Sequence, residues 1–194
     1  MNSGDISYLK RDIRIDGELR SFSMTFYSTW GLFSPKSIDE GTALLINNVE
    51  VNTSDTILDI GCGYGPIGLT LAKLAPQGNV HLVDKDYVAV EYTKKNAHVN
   101  HINNYQAYLS NGLSAVPNVQ FDCIVSNLPA KVGKELMQIL IYEAKARLKP
   151  NGKLYVVTIS GLREFIKRTF KECFGNYEKS AQNGTYTVSL AYKQ

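Results

Sequence analysis

The chain has 194 residues, of which 44% are hydrophobic and 20% charged. This composition fits one medium-sized domain with a full core and argues against a fibrous or disordered protein. With no bilayer-spanning apolar run and no secretory leader pattern, a cytoplasmic protein without a membrane partner is expected. The three cysteines are far apart and form no C-x-x-C pair, so neither a disulfide framework nor a metal site is predicted.

The net charge of +3 is unevenly distributed along the chain. Residues 1–130 carry 9 basic and 13 acidic side chains, a net −4, whereas residues 131–194 carry 12 and 5, a net +7. A local basic excess can attract phosphates, although solvated helix faces are the alternative for each side chain. The basic residues that could form such a surface are Lys145, Arg147, Lys149, Lys153, Arg163, Lys167, Arg168, Lys171 and Lys179.

The first predicted element is a β-hairpin between residues 8 and 27. Alternation over residues 11–15 indicates a strand, and Asp16-Gly17 is a two-residue turn signal, after which Leu19, Phe22 and Met24 are expected on the second strand. We expect an N-terminal hairpin extension over residues 1–30 and the main domain over residues 31–194. A helix over residues 38–46 follows.

A dense cluster of glycines comes next. Residues 57–60 suit a buried strand, Gly61, Gly63 and Gly65 follow, and an apolar helical pattern begins at Ile67. Glycine permits unusual backbone angles and lets a ligand approach the main chain. Residues 63–68 also satisfy the G-x-G-x-x-G dinucleotide fingerprint, so a dinucleotide-dependent oxidoreductase is one alternative. Asp59 argues against it, because a carboxylate there would repel a pyrophosphate and attract an ammonium group.

Strands and helices then alternate, which is typical of an α/β fold with a parallel sheet. Strands are predicted over residues 80–83, 105–109, 121–125 and 154–159, helices over 87–99, 131–149 and 162–174, and a closing hairpin over 177–179 and 185–192. The helix from residue 131 is expected to pack through one apolar side, made of Val132, Leu136, Ile139, Leu140, Ala144 and Leu148.

Polar side chains end three of these strands. Asp84 follows Gly63 at close to the spacing of about 20 residues at which, in nucleotide-binding βαβ units, a carboxylate binds the ribose hydroxyls. Asn111 follows the third strand of the predicted sheet, and Asn127 follows the fourth. Because the carboxyl ends of parallel strands share one edge, these side chains are expected to line one crevice.

Three motifs resemble one family of enzymes. The string Asp59-x-Gly61-x-Gly63-x-Gly65 resembles the first motif of class I S-adenosylmethionine-dependent methyltransferases. Phe33-Ser34 with Asp39-x-Gly41-Thr42 is similar to a segment of the small-subunit rRNA guanine-N2 subfamily. Residues 127–130 resemble a variant of the Asn-Pro-Pro-aromatic motif by which one branch of the methyltransferases handles amino groups attached to planar systems. The resemblance implies a Rossmann-like seven-stranded sheet of order 3-2-1-4-5-7-6 with the last strand antiparallel.

The resemblance also implies site residues. Catalysis would involve Asn127, Leu128 and Pro129, with the Asn127 amide oxygen and the Leu128 carbonyl each accepting an N–H of the target amine. Leu128 replaces a proline, and Ala130 replaces the aromatic residue that stacks on the target base, so stacking would come from Trp30 or Phe33. The cofactor-binding residues would be Thr42, Asp59, Gly61, Cys62, Gly63, Gly65, Asp84, Lys85, Asn111, Gly112 and Asn127.

The implied function is methyl transfer from S-adenosyl-L-methionine to an exocyclic amine, with guanine N2 in structured rRNA or tRNA as the first candidate. Adenine N6 and the side-chain amide of a protein glutamine are alternatives that use the same loop. A cofactor-binding module without catalysis is the alternative from another class, and Ala130 is its best argument.

Overall fold

A computed structural model describes residues 11–194 of the chain. Nine strands and five α-helices are found over these residues. In chain order they are β1 (Ile13–Leu19), β2 (Phe22–Ser28), α1 (Glu40–Asn48), β3 (Thr56–Ile60), α2 (Pro66–Leu74), β4 (Asn79–Asp84), α3 (Tyr87–Val99), β5 (Tyr105–Leu109), β6 (Phe121–Asn127), α4 (Lys134–Arg147), β7 (Leu148–Ile159), α5 (Arg163–Phe174), β8 (Glu178–Gln182) and β9 (Tyr186–Tyr192).

Seven strands form one sheet of order β5-β4-β3-β6-β7-β9-β8, and β1 and β2 form a separate two-stranded sheet. The five strands from β3 to β7 are parallel, whereas β9 runs antiparallel to both β7 and β8. Counted within this sheet alone, the order is 3-2-1-4-5-7-6. The predicted fold is therefore confirmed, and the carboxyl ends of β3, β4 and β6 meet at one edge.

Both faces of the sheet are covered, so its central strands are apolar on both sides. In β3, Ile57 packs toward α1, α2 and the hairpin, whereas Leu58 packs toward α4 and α5, and both side chains are fully buried. This double burial explains the near-continuous apolar run that identified the strand in the sequence.

The predicted turn of the first hairpin is wrong. Arg20 and Ser21 form the turn with φ of 51° and 68°, and Asp16 and Gly17 lie within β1. A turn at residues 16–17 would pair Leu19 with Arg14 and place it on the face opposite Ile15. The observed register instead keeps the apolar side chains of both strands on one buried face. Residues 8–10 of the predicted hairpin lie outside the described residues.

The predicted packing side of α4 is also wrong in part. Met137, Ile141 and Ala144 face the core, while Leu136 is 40% and Ile139 53% exposed. The helix is apolar on two sides, so periodicity alone could not select the buried one. The helix begins at Lys134, after a short 3-10 turn over Ala130–Val132, and it ends at Arg147 because Leu148 already pairs with Phe121 at the start of β7.

Two asparagines one turn apart, Asn96 on α3 and Asn100 at its C-cap, attach the hairpin to the rest of the domain. Asn96 accepts the backbone N–H of Tyr27 at 2.7 Å and donates to the carbonyls of Tyr27 and Tyr64, each at 2.8 Å. Asn100 accepts from the Thr25 N–H at 3.0 Å and donates to the Thr25 carbonyl at 2.7 Å. The amides thus satisfy the free edge of β2 as a neighbouring strand would. Tyr64 lies in the glycine turn, which comprises residues 61–65. Because Asn96 binds Tyr64 as well as β2, the two asparagines, called the asparagine clamp below, also join the hairpin to that turn.

Replacing Asn96 by alanine should lower the free energy of unfolding by about 1–3 kcal/mol, because buried backbone groups of Tyr27 and Tyr64 lose their partner. Urea unfolding of Asn96→Ala measures the change. Asn103→Ala, at an exposed position just beyond the same helix, is the matched control and should stay within about 0.5 kcal/mol of the parent protein. Equal stability of the two variants would contradict a stabilising role for the asparagine clamp.

Candidate active site

A cavity of about 360 Å³ opens at the carboxyl ends of β3, β4 and β6. Its size is that of a small-molecule site, and its position is where open α/β sheets bind ligands. The structure brings together most of the residues that the sequence singled out, but Asp59 and Gly65 do not line the cavity. Those that line it are Thr42, Gly61, Cys62, Gly63, Asp84, Lys85, Asn111, Gly112, Asn127, Leu128 and Pro129.

The glycine turn presents bare backbone to this cavity. Gly61 and Gly63 have φ of 73° and 57°, a region that side chains disfavour, and a Cβ at either would have no atom within 4 Å. Gly61 N–H and Cys62 N–H both donate to the Val83 carbonyl, at 2.8 and 3.0 Å, which ties the turn to β4. The turn therefore leaves open space beside its main chain, as the binding of a flat or extended ligand requires.

Gly65 has a different task. It caps α2 in the left-handed conformation with φ of 93°, and its backbone N–H donates to the Cys62 carbonyl at 2.9 Å. A Cβ there would lie 3.0 Å from Leu69 Cδ1. Glycine is thus needed at this position for the turn and for packing.

Asp59 lies beneath the turn and is fully buried. Its Oδ2 accepts the Gly68 N–H at 2.8 Å, so the carboxyl group serves the first turn of α2. Its Oδ1 makes no hydrogen bond with any residue of the described part of the chain. Desolvation by burial raises the pKa of Asp59 from 3.8 to about 7, with the Gly68 N–H acting against the rise and Asp84 adding to it.

The raised pKa predicts a pH-dependent stability. Between pH 3.8 and about 7 the unfolded chain loses the Asp59 proton while the folded chain keeps it, so stability from this group is greatest below pH 3.8 and is lost as pH rises through about 7. Urea unfolding of the ligand-free protein and of Asp59→Asn between pH 5 and 8 isolates the effect. The parent should lose stability relative to the variant as pH rises, and a constant difference would contradict the assignment.

Two further strand ends present polar groups. Asp84 Oδ2 accepts the Gly63 N–H at 2.9 Å and Oδ1 accepts the Asp86 N–H at 3.0 Å, which holds the carboxylate in place at the cavity. Asn111 and Gly112 follow β5, and Gly112 has φ of 57°. A Cβ at Gly112 would lie 2.9 Å from Leu140 Cδ2 on α4.

Asn127 ends β6 with a defined amide orientation. Its Nδ2 donates to Asp39 Oδ2 and to Thr42 Oγ1, both at 3.0 Å. Both amide hydrogens are therefore used by α1 and its cap, and Oδ1 is left as the acceptor of a side chain that lines the cavity. Leu128 follows, with its backbone N–H donating to the Val157 carbonyl at 3.0 Å.

Several lining residues were missed by the sequence analysis. Asp39 was noted only as part of a motif, although an aspartate just before a helix is a recognisable cap signal. Leu136 and Leu140 were assigned to the core, but they form part of the apolar wall of the cavity. Phe33 lines the cavity and is 60% exposed, whereas Trp30 lies outside the lining with Lys36 Nζ 4.8 Å from its ring centroid.

The basic residues do not form a single surface, which corrects the sequence-based expectation. Lys145, Arg147 and Lys149 lie where α4 ends and β7 begins, at the edge of the sheet opposite the cavity. There they bind the Cys173 carbonyl, the Pro117 carbonyl and Asp122. Among the basic residues of the stretch 131–194, those at the cavity end are Lys131, Lys134 and Arg163, at the starts of the segments that follow β6 and β7.

No group of three His, Cys, Asp or Glu side chains able to hold a metal ion occurs within residues 11–194. The helices of the same span are all too short or too polar to cross a bilayer. The three cysteines are buried thiols.

Residues 23–190 match the family model described as the methyltransferase small domain. The chain belongs to this family. The predicted class, an S-adenosylmethionine-dependent methyltransferase, is thereby confirmed. The match begins inside the first hairpin, while the division of the chain at residue 30 stays a prediction.

Three relatives are similar over most of the chain. The Bacillus subtilis protein YbxB is 39% identical over 141 residues, 72% of this chain and 70% of its own. Ribosomal RNA small subunit methyltransferase C of Hamiltonella defensa is 34% identical over 83% of this chain and 48% of its own. The T. thermophilus 16S rRNA guanine-N2 methyltransferase RsmC, solved with AdoMet and guanosine, has a TM-score of 0.86 and 27% identity, covering 94% of this chain and 51% of that one. The chain thus spans about half the length of the two rRNA methyltransferases.

Proposed function

We propose that the protein transfers a methyl group from S-adenosylmethionine to the exocyclic N2 of a guanine in rRNA. The observation that carries this proposal is the Asn127 amide, whose hydrogens are bound by Asp39 and Thr42 and whose oxygen is left to accept a donor at the cavity. Similarity to two rRNA methyltransferases, one of them solved with guanosine, supports guanine in rRNA over adenine or a protein glutamine.

The residues around the cavity fit the methyl donor. Bare backbone at Gly61 and Gly63 would lie against its amino-acid part, Asp84 would accept from the ribose hydroxyls, and Asn111 from the adenine amino group. Asp59, buried behind the turn, would act on the donor's ammonium group only at a distance, because it does not line the cavity. Bound there, S-adenosylmethionine supplies an electrophilic methyl group on a sulfonium.

The reaction requires a better nucleophile than a free guanine amine. The lone pair of N2 is delocalised into the ring, which makes the nitrogen planar and weakly nucleophilic. If Asn127 Oδ1 and the Leu128 carbonyl each accept one N–H, the nitrogen moves toward a tetrahedral shape and its lone pair turns toward the methyl group. Positioning and acceptor electrostatics would then lower the barrier without a strong base. As the N–C bond forms and the S–C bond of the donor breaks, S-adenosylhomocysteine would leave and the methylated nitrogen would release one proton to solvent. Pro129 would hold this short loop in place.

Asn127→Ala should lower kcat by about 10²–10³-fold, the scale found when one preorganised polar group is removed from an active site. Cofactor affinity by calorimetry should change much less, since the glycine turn is intact.

Mass spectrometry of rRNA nucleosides from cells with and without the protein should show loss of N2-methylguanosine, and complementation with Asn127→Ala should not restore it. A lost N6-methyladenosine or methylglutamine would support the alternatives, and unchanged methylation would favour the non-catalytic module.

Phe33 is the candidate platform for the target base, since Ala130 cannot stack. It lines the cavity and exposes 60% of its surface, and Trp30 does not line the cavity. Stacking of a base on an aromatic ring contributes about 1–3 kcal/mol, so Phe33→Ala should lower kcat/KM for RNA by roughly 5–150-fold. Phe33→Tyr should retain most activity. Trp30→Ala, in the same segment, is the matched control and should stay near the parent value. The reverse ranking of the two alanine variants would exclude Phe33 as the platform.

A further inference from the structure

We infer that Asp39 is a positioning residue that fixes which end of the Asn127 amide faces the target. This inference rests on the proposed function, because it concerns the acceptor that the target amine would meet. Asp39 and Asn127 are separated by 88 positions along the chain, yet Asp39 Oδ2 lies 3.0 Å from Asn127 Nδ2.

The need for such a residue follows from the shape of an amide. The oxygen and the NH₂ group of asparagine have nearly the same size, so a flip of the side chain costs little in packing. It would, however, replace the acceptor at the cavity by a donor, and a donor cannot bind the N–H groups of an amine. A site that handles amines must therefore favour one flip by hydrogen bonding.

Asp39 supplies this preference because an ionised carboxylate can only accept hydrogen bonds. With Nδ2 toward Asp39, the bond is charge-assisted; with Oδ1 toward it, two oxygens would repel each other. Thr42 Oγ1 takes the second amide hydrogen at 3.0 Å and can itself adapt to either flip, so the carboxylate is the group that discriminates.

Asp39 is itself held from two directions. Its Oδ2 accepts the Thr42 N–H at 3.0 Å as the cap of α1, and its Oδ1 accepts the hydroxyl of Tyr186 on β9 at 2.9 Å. Gly41 makes the second contact possible, because a Cβ there would lie 2.7 Å from the Tyr186 ring. The string Asp39-x-Gly41-Thr42 thus forms a hydrogen-bond network. Asp39 orients the Asn127 amide, Gly41 leaves room for the Tyr186 ring, and Thr42 binds the side chains of both Asp39 and Asn127.

Two substitutions separate positioning from helix capping. Asp39→Ser keeps a good cap for α1 but removes the carboxylate that reaches Asn127, whereas Asp39→Asn keeps both the cap and the shape and can still place an oxygen at Asn127. We expect Asp39→Ser to lower kcat by at least about 30-fold while KM for the cofactor changes less than about threefold. Asp39→Asn should recover most of this loss, and Tyr186→Phe should cost only a few-fold.

A second readout needs no substrate. The Asn127 side-chain NH₂ signals in an amide NMR spectrum, assigned by their absence in Asn127→Ala, should move and exchange faster with solvent in Asp39→Ser but not in Asp39→Asn. Unchanged NH₂ signals and unchanged kcat in Asp39→Ser would overturn the inference. Equal loss of kcat in both Asp39 variants would also overturn it, because both keep the cap of α1 and only Asp39→Asn keeps an oxygen that can reach Asn127. If the parent protein methylates no RNA, the proposed function fails, and the NMR comparison still decides the orientation of the amide.

Discussion

The hydrogen bonds that hold the Asn127 amide join the distant parts of the chain on which the site depends. Asn127 comes from the end of β6, Asp39 and Thr42 from the start of α1, and Tyr186 from β9. None of these elements is a neighbour of the others in sequence, so the acceptor exists only once the sheet is complete. The proposed chemistry is thus a property of the assembled fold, because no single motif contains the whole network.

The sheet makes this assembly possible through its topology. The glycine turn after β3 and the Asn127 loop after β6 are adjacent because β3 and β6 are paired parallel strands, so both loops emerge at the same edge. Tyr64 of the glycine turn packs its ring edge-on against Phe26 of the hairpin, with centroids 6.0 Å apart. Asn96 completes the support by binding the Tyr64 carbonyl and the edge of β2. The hairpin therefore stabilises the turn.

Local patterns in the sequence predicted the elements whose signals are local. The bounds predicted for α3 and β5 agree with the structure, since Asp86 caps the helix and turn residues flank the strand. The hairpin turn was mispredicted because Asp16-Gly17 has turn chemistry, and the choice of Arg20-Ser21 depends on which face is buried by the rest of the protein. The packing side of α4 was mispredicted for the same reason, since an apolar cavity wall and a packed core give the same periodicity pattern.

The site was predictable in its residues more than in its contacts. The glycine spacing and the strand-end positions of Asp84 and Asn127 could be predicted from the sequence, because βα turns recur at regular intervals. The burial of Asp59 away from the cavity and the hydrogen bond between Asp39 and Asn127 could not be predicted, since each depends on how α1 and α2 pack on the sheet.

The central claim is that the amide oxygen of Asn127 accepts a hydrogen bond from the amine to be methylated. A crystal structure of the protein with S-adenosylhomocysteine and guanosine tests it most directly, at a resolution that assigns the amide from its partners. The account predicts Oδ1 about 3 Å from guanine N2, with Nδ2 still on Asp39. A guanosine bound with N2 out of reach of Oδ1, or an amide turned to present Nδ2 to the base, would contradict it.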